Sequence, residues 1–351
     1  SSDVCSSDLR LAFERFVEEE WRTGSLRASD FTAFTGAQAW WLDDYALFRA
    51  LHVHHRGVSW MDWPAPLRDR DPSALGEARE ALATEVRYRQ YVQWIAHGQW
   101  TAARRAIDGV ALFGDLPFMV GTDSADVWSR QDEFRFDVSV GVPPDAFSET
   151  GQDWQLPAYR WDVFAARDFD WLRCRARRTV DLFDGYRIDH LVGFFRTYYR
   201  PKDGGPAQFT PADEPSQTTL GEQVLTAFKE AGGEVTAEDL GVVPDFVRAT
   251  LARLEVPGYK VFRWERQWHT PGQPYVDPVD YPRVSVAVSG THDTETTAEW
   301  WTVTSPEERA AVLDIPSVRA HLTADDLAVA RDGVFTTAVR DALLEALYAG
   351  G

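Results

Sequence analysis

This sequence predicts an α/β fold, an incomplete (β/α)8 TIM barrel with helical and loop insertions, and three observations carry the prediction. From Val110 onward short apolar runs alternate with helical spans, the signature of parallel strands joined by crossover helices. The runs place strands near Ala111 to Gly114, Gly185 to Ile188, Glu234 to Ala237, Gly258 to Phe262 and Val284 to Val288, too few to close a barrel of this type. Acids end three of these runs, at Asp189, Glu238 and Asp293, and in a parallel barrel the carboxyl ends of all strands meet at one face.

Taken in order, residues 1–9 (SSDVCSSDL) repeat Ser-Ser-Asp, carry no Met and read as a non-native leader, outside the fold. Residues 10–109 read as a mostly helical insertion. Asp71-Pro72-Ser73 is a helix start, and Tyr88, Val92 and Ile95 at i, i+4 and i+7 mark a buried stripe. The aromatic run from Trp40 to Leu51 has helical spacing and reads as core rather than as a sugar platform. His52, His54 and His55 lack the Cys or acid partners of a metal site and read as a solvated loop. Residues 110–351 are the partial barrel. Within it, 121–170 is a Gly/Pro/Trp-rich excursion long enough to expect function, and Pro201 to Pro215 reads as a second surface loop. Two helical spans, Pro306 to Leu313 and Val334 to Tyr348, follow the last strand.

Composition bounds the function. With 351 residues, 44% apolar, and 15 Trp, the chain can bury a sizeable core. A net charge of −19 argues against nucleic acid and acidic membranes as partners. No apolar run is long enough to span a bilayer, no secretion leader is readable, and two Cys give neither a disulfide framework nor a metal site, so a cytoplasmic protein is expected. Phosphate-cradling Gly loops are absent, and no cofactor is expected.

The chemistry is expected around Leu182 to His190, LFDGYRIDH. Arg187 and Asp189 are two apart, hence on one face of a strand, which gives the Asp189 carboxylate a fixed cationic partner. A held carboxylate can act as a nucleophile if a second carboxyl supplies and takes protons. Each acid alone is more often a solvated or ion-paired residue; the order of the three gives them weight.

Those acids lie in longer motifs. GDLPFMVGTDSADVW (Gly114 to Trp128), GVPPDAFSETGQDW (Gly141 to Trp154), LPAYRWDV, FDGYRIDHLVGF, AEDLGVV and GTHDTETT resemble the 4-α-glucanotransferases of the α-amylase clan, the amylomaltases or disproportionating enzymes, from about Phe34 to Trp301. The resemblance implies that Asp189 is the nucleophile, Glu238 the general acid/base and Asp293 the acid that grips the sugar at the cleavage point. It adds Arg187 and His292 beside them, and Asp145, Gln152 and Trp154 as glucan contacts on a loop over the substrate groove. The implied partners are α-1,4-glucans and maltooligosaccharides. Gln155, where the family usually has Gly, and Thr294 and Glu295, for the more usual Asn and Asp, are departures that spare the three acids. An α-amylase-type hydrolase and a non-catalytic glucan-binding fragment are the rival readings; the GVPPDAFSETGQDW loop disfavours the first and the retained acids the second. Family members have further strands at both ends, so the chain is expected to be a fragment, inactive by itself.

Overall fold

The computed structural model describes residues 2–107, 109–144 and 149–350. The chain forms two compact units, one of Ser1–Leu112, Met119–Asp184 and Thr197–Thr210, the other of Phe113–Phe118, Gly185–Arg196 and Pro211–Gly351. Among the described residues the strands are β1 (Phe113–Leu116), β2 (Phe134–Val142), β3 (Gln152–Tyr159), β4 (Gly185–Ile188), β5 (Thr197–Pro201), β6 (Gln208–Thr210), β7 (Glu234–Ala237), β8 (Gly258–Val261) and β9 (Ser285–Val288).

The second unit holds the sheet that organises the acids. Its order is β1-β4-β7-β8-β9, parallel throughout, with Asp115 beside Arg187 and Arg187 beside Thr236. These are the five runs read from the sequence; the first begins two residues later than expected. The fold is therefore α/β and barrel-like, with β1 and β9 as the edges of its sheet among the described residues. Gly185 is required by close packing, since a Cβ there would lie 2.6 Å from the Glu234 carbonyl oxygen. Tyr186 and Ile188, on the opposite face from Arg187, are fully buried, and the Tyr186 hydroxyl donates to the Phe228 carbonyl of the helix Glu214–Glu230. Behind β8 and β9, Phe262, Trp301, Leu313, Val339 and Leu343 form a separate apolar core with the C-terminal helices.

The first unit combines helices with an antiparallel sheet of order β3-β2-β5-β6. Residues 121–170 and 201–215 are thus not loop throughout. The alternation in FRFDVSV is the half-buried strand pattern, with Phe134, Val138 and Val140 turned inward. A bulge at Val140–Gly141 bends β2, and a Cβ on Gly141 would sit 1.9 Å from the Gln152 carbonyl oxygen. On the helical side, Asp71 caps the helix Pro72–Ala81 through Ala74 N–H, and Tyr88 and Tyr91 of the helix Ala83–Ala106 pack with Phe13, Phe16 and Phe31, where Val92 and Ile95 also lie. The helix Ala39–His54 buries Leu42, Leu47, Phe48 and Leu51 but leaves Trp40 exposed. It also absorbs His52 and His54, which are helical rather than looped, and His55 at its end stacks on Trp63. The helix Ser2–Phe16 takes in residues 2–9, and Leu9 packs on the same aromatic cluster, so that this stretch is part of the fold rather than outside it. Among the described residues no helix is long and apolar enough to cross a membrane.

Candidate active site

The site stands at the carboxyl ends of β1, β4 and β7, and their ladder sets it. Asp189 N–H bonds the Leu116 carbonyl at 3.0 Å, Glu238 N–H the Ile188 carbonyl at 2.9 Å, and Leu191 N–H the Glu238 carbonyl at 3.1 Å. Both acids therefore leave the sheet from backbone already fixed by neighbouring strands.

Arg187 binds three carboxylates at once. Its Nη1 donates to both Asp115 oxygens at 2.8 and 2.7 Å, and its Nη2 lies 2.9 Å from Asp189 Oδ1 and 2.7 Å from Glu238 Oε2. Its side chain is 11% exposed, so this planar fork works largely away from water. His190 has φ 43°, in the left-handed region, and this turn directs its N–H to Glu238 Oε2 at 2.8 Å. Burial pushes the His190 imidazole down to about 4 against the pull of Asp189, so the ring, packed on Phe118 at 5.5 Å, is neutral at pH 7.

Burial raises the pKa of Glu238. The His190 N–H and Arg187 act against that rise, while the Asp189 charge and a hydrogen bond with the Asp189 side chain reinforce it. One guanidinium facing three carboxyls leaves excess negative charge, and a proton on Glu238 relieves it. The cluster thus offers a held carboxylate beside a desolvated carboxylic acid, the pair needed for nucleophilic attack and proton donation.

The remaining expected residues are distributed differently. His292 and Asp293 lie in the segment after β9, at the same carboxyl edge of the sheet, with Nε2 and Oδ2 3.2 Å apart and side chains 63% and 76% exposed. Neither is among the partners of the Arg187 cluster. Gln152 and Trp154 lie on β3 in the other unit, where Trp154 Nε1–H bonds Gln152 Oε1 at 3.0 Å. Asp145 lies outside the described residues. Asp115 is a member that the sequence does not single out: it stands inside β1, in register with Arg187, where Asp189 and Glu238 follow the ends of their strands. Tyr259 of β8, with its ring 6.0 Å from the Arg187 guanidinium carbon, was missed as well. Among the described residues no group of three or more His, Cys, Asp or Glu is arranged to hold a metal.

Two departures acquire structural meaning. Gln155 has φ 57°, a conformation that favours Gly, and its N–H bonds Asp153 Oδ1 at 2.9 Å, which offsets part of the strain. Glu295 pairs with Arg263 at 2.7 Å.

Comparison with known proteins agrees with this geometry. A family model described as 4-alpha-glucanotransferase matches residues 6–348. The 4-alpha-glucanotransferase of Thermus thermophilus is 39% identical over 315 residues, 86% of this chain and 61% of the relative. The chloroplastic/amyloplastic 4-alpha-glucanotransferase of Solanum tuberosum is 33% identical over 285 residues, 78% of this chain and 48% of the relative. Amylomaltase from Streptococcus agalactiae, solved in complex with acarbose, superposes with a TM-score of 0.79 at 25% identity over 97% of this chain and 67% of that one. This chain spans less than two thirds of the length of either sequence relative. Because the match runs through the acid cluster and nearly end to end, the chain belongs to the 4-alpha-glucanotransferase family.

Proposed function

We propose that this acid cluster transfers α-1,4-glucan segments between maltooligosaccharides by a retaining double displacement. The observation that carries the proposal is the convergence of two carboxyls on one guanidinium nitrogen, with Asp189 Oδ1 2.9 Å and Glu238 Oε2 2.7 Å from Arg187 Nη2. An inverting enzyme needs roughly 6.5–9.5 Å between its carboxyls to admit water, whereas a retaining one works near 5–5.5 Å. Two carboxyl oxygens bound to one nitrogen stand closer to the second spacing than to the first.

In the first step Asp189 attacks the anomeric carbon as the glycosidic C–O bond breaks, and Glu238 gives its proton to the departing 4-oxygen. A β-linked glycosyl ester on Asp189 results. In the second, the 4-hydroxyl of an acceptor glucan attacks that carbon, its proton passes to Glu238, and the ester carboxylate leaves; two inversions restore the α linkage. Arg187 and the His190 N–H hold both acids in register throughout. Asp293 and His292 grip ring hydroxyls, with contacts that strengthen toward the oxocarbenium-like state. Asp145, Gln152 and Trp154 are carried to glucan contact by motif alone. The absence of nucleic-acid partners belongs to the same reading on the strength of the acidic net charge, and a cytoplasmic location on that of two Cys that give no disulfide framework.

Incubation with maltotriose tests it: glucose together with maltooligosaccharides longer than the substrate supports transfer, and glucose and maltose alone would mean hydrolysis.

A further inference from the structure

The segment that presents Asp293 has an exposed tip on a buried post. Arg263, in the single turn Phe262–Trp264 after β8, has a side chain only 4% exposed. Its Nη1 donates to Glu295 Oε1 at 2.7 Å, its Nη2 to the Glu295 carbonyl at 3.1 Å, and its guanidinium carbon lies 5.2 Å from the Trp300 ring. Gly290 closes the segment on this group, since a Cβ there would fall 2.8 Å from Thr294 Oγ1 and 3.1 Å from Arg263 Nη2. Thr294 Oγ1 accepts from Thr291 N–H at 3.1 Å and donates to the Thr291 carbonyl at 2.9 Å, while Asp293 N–H bonds Thr291 Oγ1 at 3.3 Å. The far end is fixed by the Thr296–Glu299 capping box of the helix Thr297–Val303.

Both ends and the base of the segment are thus tied, and His292 and Asp293 stand further into solvent than Glu295, whose side chain is 47% exposed. A carboxylate on a pinned turn loses less freedom on meeting a ligand than one on a free loop. Arg263 also pairs the charge of Glu295, two residues from Asp293, which would otherwise add to the negative field there.

We propose that Arg263, through its fork on Glu295, is a positioning residue that pre-orders Asp293 for glucan binding; the proposal rests on the glucan-site reading above. Acarbose, the ligand of the Streptococcus relative, is the probe, with affinity read by titration calorimetry. Arg263→Gln and Glu295→Gln should each weaken acarbose about tenfold and speed amide exchange across residues 290–296, whereas Arg263→Lys and Glu295→Asp should fall between these variants and wild type. In an Asp293→Asn background the Arg263→Gln change should cost less than about twofold more, because a residue acting through Asp293 has little left to act on. Undiminished binding by Arg263→Gln, or losses that multiply in the double variant with exchange rising across the whole sheet, would overturn the proposal. Wild type that fails to bind acarbose would instead overturn the glucan-site reading.

Discussion

Replacing Arg187 by Lys is the perturbation that draws most on the geometry described. Arg187 makes two bonds to Asp115 and one each to Asp189 and Glu238, all from one planar fork. A Lys ammonium is a single point charge with three donors and no fork, so it cannot keep the Asp115 pair of Nη1 and both reacting acids on Nη2 bound at once. A hydrogen bond to a charged group contributes about 1.5–3 kcal/mol, which corresponds to about ten- to a hundredfold in rate. Asp189 is 38% exposed, so solvent screening favours the lower half of that range if its bond is the one lost. The disproportionation kcat/KM of Arg187→Lys should therefore fall by at least about tenfold. Its pH profile should shift in a fixed direction. Burial already raises the Glu238 pKa, and Arg187 is one of two groups opposing that rise, so weakening it raises the pKa further and moves the basic limb to higher pH. Stability follows the same sign. A carboxyl whose folded pKa is raised favours the folded state below its unfolded value of 4.5 and loses that contribution as pH rises through the folded value. The melting-temperature deficit of the variant should therefore be larger at pH 8 than at pH 5. Activity within threefold of wild type, or a basic limb that stays in place or moves down, would refute the assigned role of Arg187.

Glu238→Gln should lose most transfer from maltooligosaccharides but keep much of its first step on a glycosyl fluoride donor, whose leaving group needs little protonation; equal loss on both donors would count against the acid/base role. The lowered His190 pKa gives stability that is present above the unfolded value of 6.5 and lost as pH falls through about 4, up to about 3 kcal/mol in all. Urea midpoints at pH 7 and pH 5 should show this drop in wild type and less of it in His190→Asn. With β1 and β9 as open edges and Phe113 46% exposed, the 351-residue chain should self-associate and show low specific activity beside the Thermus relative; a monomer of equal activity in sedimentation and assay would contradict this.

The parallel sheet was legible because its short strands alternate with helical spans along the chain, and β4 and β7 begin and end where the expected runs do. β2 and β3 were not, because Gly141, Pro143, Pro144 and Gly151 in and between them look like loop chemistry and mask the alternation in FRFDVSV. Asp189 and Glu238 were legible as strand-end acids. Asp115 does not follow that rule, since it stands inside β1, paired in register with Arg187, rather than after the strand's last residue. The grip of Arg187 on three acids was out of reach of spacing alone: Asp115 is 72 residues from it and Glu238 is 51, and only the parallel register brings them together. The left-handed turn at His190 is likewise invisible in the sequence, since His adopts it more often than most residues with a Cβ but still seldom, and no neighbouring residue marks it.

Under the proposed double displacement Asp189 becomes covalently glycosylated. A slow glycosyl fluoride donor incubated with Glu238→Gln, followed by digestion and peptide mass spectrometry, tests it most directly. One glycosyl adduct is expected on the peptide containing Asp189, lost in an Asp189→Asn double variant and released by azide, an anionic nucleophile that needs no base, rather than by maltose, whose 4-hydroxyl has no Glu238 to take its proton. An adduct on any other carboxylate, or turnover through an enzyme that never carries the sugar, would contradict it.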